Sequence, residues 1–320
     1  MDISIIIVGW NTRRYVEECL DSLAVARTCR SIEVIVVDNA SADGSAEMVE
    51  RRFPDVKLIR AGENLGFAKA NNRAIRECQG RYVCLVNPDV KLLPGCLDAL
   101  ADFLDQHPEV GNVGPRVLNS DLTLQSSCRR FPTLWNNFCS ATGLAVAFKR
   151  WRLFSGEHML FFRHDRIAAV DVLVGCFWMI RRKALTAVGL LDEGFFMYGE
   201  DVDWCRRCWN AGWQVVFFPD ASAIHARGGA SAADPVGCAV MQQQSILRYW
   251  SKHHCSSQVL AMQGILLCSH VIRYLFAVLP RFGHRRDSAQ NDTRKQVSIT
   301  CLRTLPFPRV SHMAQGAGRP

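Results

Sequence analysis

Four short runs, residues 3–8, 32–37, 56–59 and 82–86, are apolar or β-branched almost without interruption. A strand with one wet face alternates apolar and polar positions, so unbroken runs of this kind predict strands covered on both faces. Between them, residues 14–26, 42–52 and 68–78 read as helices. Strand and helix repeating at this interval predict an α/β fold, a mostly parallel central sheet flanked by helices. Ligands of such sheets bind beyond the carboxyl ends of the strands.

Three polar clusters fall at those ends: Gly9-Trp10-Asn11, Asp38-Asn39-Ala40-Ser41 and Asn87-Pro88-Asp89. They place Asn11, Asp38 and Asp89 along one rim. The loop Glu63-Asn64-Leu65-Gly66-Phe67 is positioned to cover the same rim. Each cluster alone also reads as a turn, because Asn, Asp, Gly and Ser are turn formers.

Residues 118–165 lose the regular pattern, with Pro132, clustered arginines and several aromatics, and read as an insertion or a mobile loop. Strand character returns over 170–180 and again over 213–218. Between them FFMYGEDVDWCRRCWNAGW, residues 195–213, packs Glu200, Asp201 and Asp203 into the first turn of a helix that Gly212 ends. Acidic residues there complement the helix dipole, and Asp203 reads as the cap. Carboxylates held against apolar surface are also candidates for proton transfer. Downstream, His225 enters a small-residue loop, residues 226–229.

Six strings now carry a resemblance: SIIIVGWN from Ser4, VVDNASADGS from Val36, ENLGFAKANN from Glu63, LVNPDV from Leu85, GCFWMIRRKAL from Gly175 and LLDEGFFMYGEDVDWCRR from Leu190. Their order and spacing over residues 4–230 resemble the family-2 inverting glycosyltransferases, in particular the rhamnosyltransferase-like members that build cell-surface polysaccharides. The resemblance implies a GT-A fold with a C-terminal helical extension, a nucleotide-diphosphate sugar donor and a divalent metal, Mg²⁺ or Mn²⁺. It assigns Asp38, Asn11 and the neighbouring Gly9 and Trp10 to the nucleoside pocket, with Asn64, Gly66 and Asn87 on the donor side. Asp89 matches the last position of the family's DxD-like motif as a metal ligand, Asn87 replacing the first aspartate, and His225 matches a further ligand. Asp201 is implied as general base with Glu200 beside it. Trp178, Trp204 and Tyr198 are read as apolar walls for a deoxy sugar or as core. Rhamnose from a deoxythymidine diphosphate donor is the implied sugar, with glucose, galactose or an N-acetylhexosamine open as alternatives, and a glycan or lipid-linked acceptor the implied partner.

Composition narrows the alternatives. A nucleotidyltransferase or dinucleotide oxidoreductase needs a glycine cluster after the first strand, and residues 9–14 have none. A non-catalytic protein of the same fold stays open through Asn87. The fourteen cysteines form no disulfide framework, and Cys205 with Cys208 has no second CxxC to complete a zinc site. With no basic run before the first strand, a cytoplasmic chain is expected.

Of the net charge of +8, residues 281–320 hold eight Lys or Arg against Asp287 and Asp292. That tail beside an apolar segment points to peripheral association with an anionic membrane on its inner face rather than to nucleic acid, or else it is a solvated disordered tail. Residues 259–279 are long enough, at ~31 Å as a helix, to cross a bilayer. Gln263, His270 and Arg273 form a polar stripe along it, so a helix lying on the membrane, one packed on the protein and a span all stay open. The expected organisation is a nucleotide-sugar half (1–117), a catalytic and acceptor half (118–232), helices (233–280) and a basic tail (281–320).

Overall fold

A computed structural model of the chain describes residues 1–26, 28–226, 234–278 and 288–305. The loop Arg227-Gly228-Gly229 and most of the basic tail lie outside the described residues. In chain order the first half runs β1 (Ile3–Gly9), α1 (Arg13–Ala26), β2 (Ile32–Asp38), α2 (Ser45–Arg52), β3 (Lys57–Arg60), α3 (Gly66–Glu77), β4 (Tyr82–Val86), β5 (Val90–Leu92), α4 (Cys96–Gln106) and β6 (Val110–Leu118). Then follow β7 (Leu124–Gln125), β8 (Cys128–Arg129), α5 (Leu134–Thr142), α6 (Leu144–Ala147), β9 (Ala168–Ala169), β10 (Val172–Leu173), β11 (Phe177–Arg181), α7 (Arg182–Val188), α8 (Glu200–Asn210), β12 (Gln214–His225), α9 (Pro235–His253), α10 (Ser256–Val278) and α11 (Ser288–Thr304).

The main sheet has the order β3-β2-β1-β4-β11-β6-β12-β5. β3, β2, β1 and β4 are mutually parallel, β11 runs against both its neighbours, and β12 is parallel to β6. Both faces are covered, as the unbroken apolar runs predict. Along β1, Ile5 and Ile7 pack under α1 with Val16 and Leu20, whereas Ile6 points into the opposite core with Ala74 of α3 and Trp204 of α8.

Several boundaries differ from the sequence pattern, each for a local reason. Residues 170–180 are two strands, β10 and β11, separated by a turn at Gly175. β12 continues well past Phe218, because its second half pairs with β6 and β5 after a register shift. Helix α2 starts at Ser45, where the Asp43 carboxylate accepts from the Ser45 backbone N–H. The stretch 118–165 is not structureless: it holds β7, β8, α5 and α6, with α5 capped by a reciprocal Thr133 and Asn136 box. At the far end of α8, Gly212 takes the left-handed conformation and its N–H reaches Trp209, as the expected helix stop requires.

Helices α9, α10 and α11 build a separate small core of Leu247, Tyr249, Trp250, Met262 and Leu266 around Phe195. On α10 the polar stripe faces partly inward, with His270 buried, while Leu260, Leu267, Val271 and Leu275 are exposed. Those four fall within about 80° of a helical wheel.

Candidate active site

One cavity of about 680 Å³ opens at the carboxyl ends of β1, β4 and β12, within the range of small-molecule sites. Trp10, Asn64, Gly66, Asn87, Asp89, Glu200, Asp201 and His225 all line it. The sheet brings Asp89 and His225 together. β12 pairs with β5 so that His225 stands opposite Val90, and the Ala226 N–H donates to the Asp89 carbonyl at 2.9 Å. Their side chains then meet, with His225 Nε2 3.2 Å from Asp89 Oδ1.

The other ring nitrogen decides what that contact means. Gln125 donates its amide to Asn119 Oδ1 and to the His225 carbonyl, which turns its Oε1 toward His225 Nδ1 at 2.6 Å. In the neutral ring, with Nδ1–H donating there, Nε2 presents a lone pair toward a carboxylate oxygen. Two acceptors facing each other suit a shared cation. An imidazole nitrogen and a carboxylate oxygen at this separation are close enough to share one ion. These residues therefore fit a divalent metal.

In the same cavity, α8 follows its N-cap Gly199, whose φ of 83° follows a φ of 69° at Tyr198. A non-glycine residue in that region is uncommon and marks a constrained turn. The turn aims Asp201 at the loop before β11: Oδ2 accepts from the Gly175 N–H at 3.2 Å and Oδ1 from the Val202 N–H at 2.8 Å. Gly66 is needed where this wall meets the nucleotide-side loop. It has a φ of 74°, and a β-carbon there would lie 2.3 Å from the Phe196 carbonyl oxygen.

Glu200 is fully buried, and burial first, then the adjacent Asp201 carboxylate, push its carboxyl up to about 8 from 4.5. Its Oε2 has no protein partner. The fold thus favours the neutral acid, so stability from this group is fully present below pH 4.5 and is lost as pH rises through about 8. Glu200→Gln, which is neutral at every pH, is expected to melt above the parent at pH 9 by a margin much larger than at pH 5. A margin independent of pH would contradict the burial argument.

Three expected residues are not in the wall. Asp38 is buried beside a small recess with Val16, Ala46 and Val49, its Oδ2 accepting from the Ser41 N–H and its Oδ1 without a protein partner. Asn11 is exposed, and its Oδ1 accepts from the Ala42 N–H at 2.7 Å, tying two loops together. Gly9 sits in the same recess as Asp38, with its carbonyl accepting from Asn39. Asn39 takes the place in the cavity, its Nδ2 donating to the Gly66 carbonyl. Asp203 is not a cap: the N-cap is Gly199, and the Asp203 carboxylate is buried among Arg207, Lys252 and His253. Burial alone would raise its pKa, but the hydrogen bonds from Lys252 and His253 more than offset that and lower it. Trp178 and Trp204 are core, with their indole N–H groups bonded to backbone carbonyls, while Tyr198 lines the cavity.

Thr12, Arg129, Arg130, Gln242, Tyr249 and Trp250 also line the cavity, although no motif in the sequence marks them. Thr12 Oγ1, Asn39 Oδ1 and Trp250 Nε1 are buried without a protein partner, as polar groups awaiting a ligand would be. Cys205 and Cys208 are both buried inside α8, and no cluster of three or more metal-ligating side chains occurs among the described residues.

A sheet with this strand order and a cavity at its carboxyl edge define a GT-A glycosyltransferase fold, shared with solved structures of low identity. The mannosyltransferase PcManGT of Pyrobaculum calidifontis, solved with GDP-Man and Mn²⁺, aligns with a TM-score of 0.54 at 18% identity over 94% of this chain and 84% of that one. S. aureus TarS 1–349 aligns with a TM-score of 0.52 at 16% identity, over 94% and 89%. The chain belongs to glycosyl transferase family 2, whose family model matches residues 4–189. It is 30% identical over 271 residues to the N-acetylglucosaminyl-diphospho-decaprenol L-rhamnosyltransferase of Mycobacterium tuberculosis strain H37Rv, covering 79% of this chain and 85% of the relative. It is 29% identical over 211 residues to the low-salt glycan biosynthesis hexosyltransferase Agl10 of Haloferax volcanii, covering 64% and 61%.

Proposed function

We propose that this glycosyltransferase moves rhamnose from dTDP-rhamnose onto a glycan carried by a lipid diphosphate, in one displacement that inverts the anomeric carbon. The observation that carries the mechanism is the convergence, in one cavity, of the Asp89 and His225 pair with the Asp201 carboxylate. The choice of rhamnose and of a diphospho-lipid acceptor is supported by the mycobacterial relative, whose name states both.

In this reading Trp10, Asn39, Asn64, Gly66 and Asn87 cradle the donor, and Asp89 and His225 would hold Mg²⁺ or Mn²⁺. When bound, that ion would supply positive charge against the departing diphosphate. Asp201 accepts the proton of the attacking hydroxyl, for which it must stay ionised within hydrogen-bond reach. Glu200, kept neutral by burial, adds no second negative charge beside it and leaves a polar oxygen for the acceptor. Arg129 and Arg130, from the stretch after β7, offer guanidinium groups to the acceptor's diphosphate. Helix α9 closes the cavity, and the Asp203 bonds to Lys252 and His253 lock it onto the catalytic helix.

A panel of nucleoside diphosphates and their sugars, with and without Mn²⁺, tests the donor side, since a ligand bound only by the native state raises the melting temperature. A Mn²⁺-dependent shift largest with dTDP and dTDP-rhamnose is expected. A larger shift with UDP or GDP compounds would replace the proposed donor.

A further inference from the structure

The segment between β8 and β9 leaves its large apolar side chains outside. Trp151 is 65%, Leu153 62% and Val146 72% exposed, and Trp135, Phe138 and Phe148 are exposed as well. These are not loose side chains. Trp135, Phe148 and Trp151 all pack on Phe154, with ring centroids 5.8, 5.3 and 6.4 Å apart, and the Trp135 indole N–H donates to the Leu153 carbonyl at 3.0 Å. An ordered apolar surface of this extent on a soluble face marks an interaction site.

Its charge identifies the partner. Residues 134–154 hold Lys149, Arg150 and Arg152 and no Asp or Glu, a net +3 within a chain of net +8. Lys149, Arg150 and Arg152 are exposed on either side of Trp151. Aromatic rings interleaved with cations match the headgroup level of an anionic bilayer, where rings sit at the boundary and Lys or Arg meets phosphate. The exposed aliphatic side chains Val146 and Leu153 gain from a hydrocarbon boundary and have no use for a nucleic acid. A symmetric contact between two copies would set two such positive faces against each other. The same segment walls the cavity through Arg129, Arg130, Asn137 and Glu157, and α10, with its exposed apolar stripe, packs against α5.

We infer that the aromatic and basic face of residues 134–154 docks on the surface of an anionic lipid bilayer. Docking there brings the cavity to an acceptor whose lipid stays in the membrane; this last step rests on the proposed acceptor, whereas the docking itself does not.

Flotation of the full-length protein with vesicles of phosphatidylcholine, alone or with a quarter phosphatidylglycerol, tests it without turnover. The wild type is expected to float with the anionic vesicles and to be released by high salt. Trp151→Ser with Leu153→Ser, and separately Lys149→Gln with Arg150→Gln, are each expected to lower partition about tenfold while the melting temperature holds. Both variants are expected to keep wild-type turnover on a short-chain, water-soluble acceptor and to lose it on the same acceptor in vesicles. Folded variants that float like the wild type, or a wild type that ignores anionic vesicles, would overturn the inference. So would light scattering that shows a dimer broken by the Trp151 variant, which would make the occupant a second copy. Absence of transfer to any acceptor, with vesicle binding intact, would sink the proposed reaction and leave the docking face standing.

Discussion

Asp201→Asn is expected to lower turnover about a thousandfold, within the range a general base contributes, while the Mn²⁺-dependent stabilisation by donor stays nearly as in the parent. The amide is nearly isosteric, and its oxygen can still accept from the Gly175 N–H as Oδ2 does now. Its NH₂ then faces the Val202 N–H, which costs one helix-end hydrogen bond of about 1 kcal/mol and leaves the fold in place. What the amide cannot do is take a proton from the attacking hydroxyl. Initial rates with saturating donor, beside a donor melting shift, separate the two effects. A variant that keeps most of its turnover would remove Asp201 from the base role.

Asp89→Ala is expected to abolish the Mn²⁺-dependent part of donor binding and most of the transfer with it. The Asp89 carbonyl that pins Ala226 is backbone and survives the change, so the sheet edge should hold. The side chain lost is the carboxylate that faces His225 Nε2. His225→Ala should weaken the metal response less, because the carboxylate carries the charge of the pair. The melting shift with nucleotide, read across a Mn²⁺ titration, checks both. An Asp89→Ala protein whose metal dependence is unchanged would return the loop to an ordinary turn.

Most of the fold can be read from residue pattern, because buried parallel strands must be apolar on both faces and so stand out as unbroken runs. The rim of the sheet is legible for the same reason: where such a run stops, the first polar residues are at the carboxyl end. Which face each rim residue takes is harder. Successive strand residues point to opposite sides, so Asp38 follows Val36 into the recess under α1, and Asn39 reaches the cavity instead. A one-residue parity error moves a side chain from one face to the other.

The far wall of the cavity is less legible still. Gln242, Tyr249 and Trp250 come from α9, and nothing in their local sequence distinguishes a wall from a core; only the packing of α9 on α8 through Asp203 places them. Gln125 could be suspected only after β7 was known to pair with β6 beside β12. In α10 the polar stripe of Gln263, His270 and Arg273 suggested a wet face, yet His270 is buried and Gln263 half-buried, only Arg273 of the three is exposed, and Leu260, Leu267, Val271 and Leu275 are exposed as well. Periodicity shows that a helix has two faces and does not show which one the protein covers.

An inverting transfer with Asp201 as base, in the cavity that Asp89 and His225 also line, fixes the anomeric configuration of the product. The most direct measurement is the proton NMR spectrum of the product formed from dTDP-rhamnose, Mn²⁺ and an N-acetylglucosaminyl-diphospho-lipid acceptor, read at the transferred sugar's anomeric position. A single rhamnoside is expected, its anomeric configuration opposite to that of the donor. A product that retains the donor's configuration would contradict a single displacement and the base assigned to it.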